Sequence, residues 1–114
     1  MDNNDTSLDT IFHALADPTR RAVVQRLVKG PAPVKELAEP HDMALPSFMK
    51  HLGVLEDAGL IASEKQGRVR TCSFNPEKLA TAEKWFDEQR ALWTSRFDNL
   101  DTLLTSMQEG NDET

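Results

Sequence analysis

The stretch LPSFMKHLGVLEDAGLI, residues 45–61, sets short polar and basic side chains beside an apolar stripe. Phe48, Leu52 and Leu55 are spaced i, i+4 and i+7, so they share one side of a helix. Ser47, Lys50 and His51 fall on the opposite or flanking faces. A helix divided in this way has the chemistry of one that reads DNA. Lys50 can neutralise a phosphate or donate to a guanine, Ser47 can contact either kind of group, and His51 can donate to phosphate. The candidates on this helix are therefore Pro46, Ser47, Met49, Lys50 and His51. Lys65, Arg68 and Arg70 gather three more positive charges around Gln66-Gly67, the composition of a hairpin arm that leans on a phosphate backbone or enters a minor groove. Lys35 offers a further phosphate contact. Taken alone, basic residues at a hairpin tip are more often only a solvated turn.

Such chemistry has to be reconciled with a formal net charge of −6. Residues 1–9 contribute Asp2, Asp5 and Asp9, and residues 98–114 hold five acids and no base. The stretch between them has 13 bases against 11 acids. A mildly basic middle with acidic ends fits a polyanion-binding module whose negative charge is kept elsewhere, although acidic ends serve solubility equally well.

The elements that must position these groups follow from periodicity and punctuation. Leu8, Ile11, Phe12 and Leu15 predict a short first helix. Asp17-Pro18 reads as a cap followed by proline at the first helical position, opening a second helix with Val23, Val24, Leu27 and Val28, stopped by Gly30-Pro31. Val34, Leu37 and Ala38 predict a short third helix before Pro40. The PHDMA turn leads into the fourth helix, with Gly59 as its stop. Residues 60–65 and 68–74 read as strands about a Gln66-Gly67 turn. Asn75-Pro76 predicts the start of a long last helix reaching about Met107. Four helices, a hairpin and a helix make a mainly α winged helix-turn-helix (α-α-α-α-β-β-α). The domain spans residues 8–107, with acidic disordered ends at 1–7 and 108–114.

The last helix bears on assembly. Leu79, Phe86, Trp93, Leu100 and Met107 recur every seven residues, while Gln89 and Arg96 interrupt the second seam, so this is not a regular coiled coil. About 32 residues at ~1.5 Å each would extend ~48 Å, against a diameter of about 26 Å for so small a domain. One domain can cover only part of that stripe. Trp93, Phe97, Leu100 and Leu104, together with Phe12 and Leu15, are therefore expected to pack on a second copy of the chain.

The segments ALADPTRR, VKELAEP, DMALPSFMKHLGVLEDAGLI, GRVR and FNPEKL resemble, in the same order, the corresponding blocks of ArsR/SmtB-type winged-helix transcriptional regulators. The resemblance covers roughly residues 8–104. It is closest to a subset in which the third-to-fourth helix segment runs E-L-A-E-P-F-D-M-S-L-P-A-V-S-K-H-L. It implies a homodimer, built through the first and last helices, that represses transcription by covering operator DNA. The chain departs from that subset with His41 for phenylalanine, Ala44 and Met49 for serine, and Ser47 and Phe48 for alanine and valine.

The metal ligands of many such regulators find no counterpart. VKELAEP has no cysteine, residues 76–114 have no histidine, and His13, His41 and His51 lie on three different predicted elements. No metal and no cofactor is expected, and any small-molecule effector is left open. His13 reads as a partly buried residue on the dimer side, and His41 as a solvated turn residue. Cys72, the single cysteine, has two readings: a small residue packed under the wing, or a thiol activated by nearby arginines. No phosphate loop, nucleophile elbow or acid–base pair suggests an enzyme. The absence of a signal-peptide pattern or membrane-length apolar run reads as cytoplasmic. The sequence thus predicts a DNA-binding repressor on an inverted-repeat operator. The alternative is a winged-helix protein-interaction adaptor that no longer reads DNA.

Overall fold

The computed structural model describes the backbone of residues 3–112 and the side chains of residues 7–107. Helices α1 (Asn3–Leu15) and α2 (Pro18–Val28) are followed by a two-residue strand, β1 (Ala32–Pro33). Then come α3 (Val34–Ala38), α4 (Leu45–Asp57), the hairpin β2 (Ile61–Gln66) and β3 (Val69–Phe74), and α5 (Leu79–Asp112). The chain divides into two compact units, one up to Ala82 and one from Glu83 onward.

In the first unit the apolar stripes converge as their spacing requires. Leu8, Ile11 and Ala14 of α1, Val23 and Leu27 of α2, Leu37 of α3 and Phe48, Leu52 and Leu55 of α4 form one buried cluster. Leu60, Ile61 and Cys72 close it from the sheet side. Phe48 and Leu55 are wholly inaccessible, and burying a side chain of that size stabilises a fold by roughly 1.5–3 kcal/mol.

The helix ends follow local chemistry. At α2, Asp17 sits in extended conformation and its Oδ2 accepts from the Arg20 amide at 3.1 Å, with Pro18 in the first turn. At the far end of α4, Gly59 takes φ +76°. Its amide donates to Glu56 O at 2.9 Å, and the Leu60 amide donates to Leu55 O at 3.0 Å. This is the left-handed stop that glycine adopts without steric cost.

Four features differ from the sequence expectation. β1 pairs antiparallel with β3, Ala32 opposite Cys72, so the sheet has three strands in the order β1-β3-β2. A strand of two residues, one of them proline, carries no periodicity to detect. The hairpin turn is Gly67-Arg68, one residue later than expected, because Gln66 still pairs with Val69. Gly67 supplies the positive φ, +64°, that a two-residue hairpin needs at its first loop position. Asn75 caps a turn rather than a helix: its side chain accepts from the Glu77 amide two residues on, at 3.2 Å, and α5 starts at Leu79. Finally, helix extends to Asn3 and to Asp112, into both segments expected to be disordered. No proline interrupts either run. Residues 1, 2, 113 and 114 lie outside the described residues.

The second unit is a single stretch of helix. Trp93 and Phe97 meet edge to face with centroids 4.8 Å apart, and the Arg96 guanidinium lies 5.9 Å from the Trp93 ring centre. Leu92, Trp93, Phe97, Leu100, Leu103, Leu104 and Met107 are all exposed in the single chain. Among the described residues no helix is long and apolar enough to cross a membrane.

Candidate nucleic-acid interface

The buried side of α4 fixes what its other side can offer. With Phe48, Leu52 and Leu55 inward, Leu45, Pro46, Ser47 and Lys50 stand exposed, and Met49 and His51 are half-buried at the flanks. Ala44 occupies the N-cap position in extended conformation and makes no side-chain cap bond. Pro46 stands in the first turn, where its lack of an N–H costs no helical bond.

A hub of polar contacts holds α4 against the N-terminal end of α2. Arg20 Nε donates to the Ala14 carbonyl at 2.7 Å and Nη2 to the His13 carbonyl at 3.0 Å, both in the last turn of α1. Its Nη1 lies 3.0 Å from His51 Nδ1. Arginine has no acceptor, so in this contact the guanidinium donates and the ring nitrogen accepts. Asp17 Oδ2 is 3.7 Å from the same nitrogen. The Asp17 carboxyl is held below its ordinary range, chiefly by the Arg20 amide, against a desolvation penalty and with help from the Arg20 guanidinium. On the other flank, Arg26 of α2 pairs with Glu36 of α3 at 3.2 Å and donates to the Gly30 carbonyl at 3.0 Å. The His41 ring stacks on Phe48, centroids 5.5 Å apart. It is half-buried rather than a freely solvated turn residue.

Between the start of α4 and the wing lies a concavity of about 1110 Å³. Its walls carry Lys35, Lys65, Arg68 and Arg70, with Glu39 the one acid among them, and Leu45, Met49 and Val69 supply apolar surface. Four cations around a groove beside an exposed helix face make a surface suited to a polyanion. Cys72 lies under the sheet with no exposed surface. Burial pushes its thiol up, Glu56 adds to that, and Arg70 opposes both. It is the packed residue of the two readings; the arginine-activated thiol is not what the fold builds.

A helix-turn-helix domain model matches residues 15–64, the span from the end of α1 into β2. The chain is 37% identical over 106 residues to the HTH-type transcriptional regulator Rv2034 of Mycobacterium tuberculosis, covering 93% of this chain and 94% of that protein. It is 59% identical to a solved ArsR family transcriptional regulator, RHA00566, which superposes with a TM-score of 0.77 over 80% of this chain and 94% of the other. The chain belongs to the ArsR family of winged helix-turn-helix transcriptional regulators. Over 68% of its length it is also 30% identical to the transcriptional repressor SdpR of Bacillus subtilis, covering 87% of that protein.

Within this ArsR-family regulator, the expected DNA-facing residues separate into groups. Lys35, Met49, Lys65, Arg68 and Arg70 line one concavity, and Pro46, Ser47 and Lys50 stand exposed on α4. His51 is different: Arg20 already occupies Nδ1, which leaves only Nε2 for a further partner. Leu15 packs in part on the chain's own core. Phe12, Trp93, Phe97, Leu100 and Leu104 are exposed in the single chain, and so is His13. Among the described residues no three histidines, cysteines or carboxylates gather as a metal site. Sequence reasoning missed Arg20, Leu45 and Val69. Nothing in ADPTRR marks Arg20 as a long-range clamp, and residue type alone does not distinguish the exposed Leu45 and Val69 from core positions.

Proposed function

We propose that this regulator is a homodimeric repressor that lays α4 in the major groove of an inverted-repeat operator. The single observation that carries the reading is the concavity in which Lys35, Lys65, Arg68 and Arg70 face the exposed first turns of α4. Lys50 and Ser47 address phosphate or base edges from the exposed face, with Pro46 and Met49 beside them. His51 offers Nε2 to a phosphate. Arg68, in the turn itself, reaches the flanking backbone or minor groove, with Lys65 and Arg70 behind it and Lys35 adding a contact from α3.

The second copy is supported by the exposed run Trp93, Phe97, Leu100 and Leu104, too much apolar surface for a lone helix to leave in water. Phe12 and the exposed part of Leu15 on α1 are proposed to meet the second copy as well. Half-sites then stand about 34 Å apart or a multiple of it. A cytoplasmic regulator controlled by its own concentration satisfies the account.

Fluorescence anisotropy against DNA from upstream of the gene and against a scrambled duplex tests this reading. Preferential, salt-sensitive binding to the upstream fragment is expected. Weak binding equal for both would contradict operator recognition and point to a protein partner instead.

A further inference from the structure

The groove between α4 and the wing is not lined by charge alone. Leu45 and Met49 stand four residues apart on α4 and so fall on one face. Leu45 is 56% exposed, and Val69 on the wing is 53% exposed. All three line the same concavity as the four cations. A single exposed leucine needs no explanation. Three apolar side chains sharing one concavity with Lys35, Lys65, Arg68 and Arg70 make a mixed surface, apolar and cationic together.

Duplex DNA presents the complementary pattern. Phosphates run along both edges of the major groove, and the apolar group among its base edges is the 5-methyl of thymine. Ser47 and Lys50 supply polar contacts on the exposed face, but neither lines this concavity. Hydrogen-bond readout is therefore available from one side of α4 and apolar readout from the other. Resting on the operator-binding reading above, we infer that Leu45 and Met49 are specificity-determining residues that recognise thymine methyl groups. Val69 closes the far wall and excludes water. The preferred half-site therefore contains thymine at the positions facing the first turn of α4.

The test begins with a duplex selected by the protein from a randomised pool. Each thymine is then replaced singly by deoxyuridine, which removes the methyl and leaves the hydrogen-bonding pattern intact. At one or two positions per half-site the replacement weakens binding about three- to fourfold, the effect of withholding one carbon from burial. Leu45→Ala or Met49→Ala abolishes that sensitivity at its own position. Lys50→Ala weakens binding to both duplexes and keeps it. A wild-type protein indifferent to every replacement overturns the inference, as does sensitivity that survives both apolar substitutions. Selection of a defined sequence without methyl sensitivity sinks this inference alone, whereas failure to select any sequence sinks the operator reading with it.

Discussion

The two compact units treat the same kinds of residue in opposite ways. Up to Ala82, the core leucines and isoleucines of four helices and a hairpin are at most 8% exposed. From Glu83 onward, the large apolar side chains are 38–67% exposed, Trp85 least and Leu92 most. In the first unit the core residues have partners in their own chain, so the fold is specified from within, and Phe12, Val28, Leu45 and Val69 are left exposed around it. In the second, Trp93, Phe97, Leu100 and Leu104 stay exposed along a single helix, the surface proposed to meet a second copy.

That contrast can be broken most forcefully at its two ends. Leu55→Ala, in the fully buried cluster, should cost about 2–5 kcal/mol of stability while leaving the association state of the folded fraction unchanged. Leu100→Asp should do the reverse. Association with a second copy makes the melting temperature rise with protein concentration. Leu100→Asp abolishes that rise and sediments as a monomer. Equal effects of both substitutions on melting and association would remove the distinction.

A finer comparison sets the starts of α2 and α4 side by side. Asp17 caps α2, whereas Ala44 leaves α4 without a side-chain cap. Ala44→Ser should add about 0.5–2 kcal/mol, read as a higher melting temperature; an unchanged or lower value would refute the cap position. Asp17→Ala should lower the melting temperature at neutral pH. Because folding depresses the Asp17 carboxyl, its stabilisation is present above the ordinary aspartate range and is lost as pH falls through the folded value. The two proteins' melting curves should therefore converge in acid. A gap that persists there would assign Asp17's effect to packing rather than to its charge.

Much of this was legible in the sequence, for reasons that can be named. The stripe Phe48, Leu52, Leu55, the Asp17-Pro18 cap and the Gly59 stop are local signals, and each is realised in the fold. The turn register was misread by one residue because Gly67 suits either position of a two-residue loop in sequence. Only the pairing of Gln66 with Val69 decides it. The strand at Ala32–Pro33 and the Arg20–His51 contact are wholly long-range, joining residues that no periodicity connects. The candidate site was legible where it depends on charge. It was not legible where it depends on apolar side chains left outside the core, since type alone assigns leucine and valine inward.

The central claim is that the cations of α4 and the wing, rather than Arg96 of α5, carry DNA. It is tested most directly by the salt dependence of binding to a selected duplex. Lys50→Ala and Arg68→Ala should each reduce the slope of log affinity against log salt by about 0.9, the share of one phosphate contact. Arg96→Ala, whose guanidinium lies over Trp93, should leave that slope as it is. Unchanged slopes for Lys50→Ala and Arg68→Ala, or an equal loss for Arg96→Ala, would contradict the account.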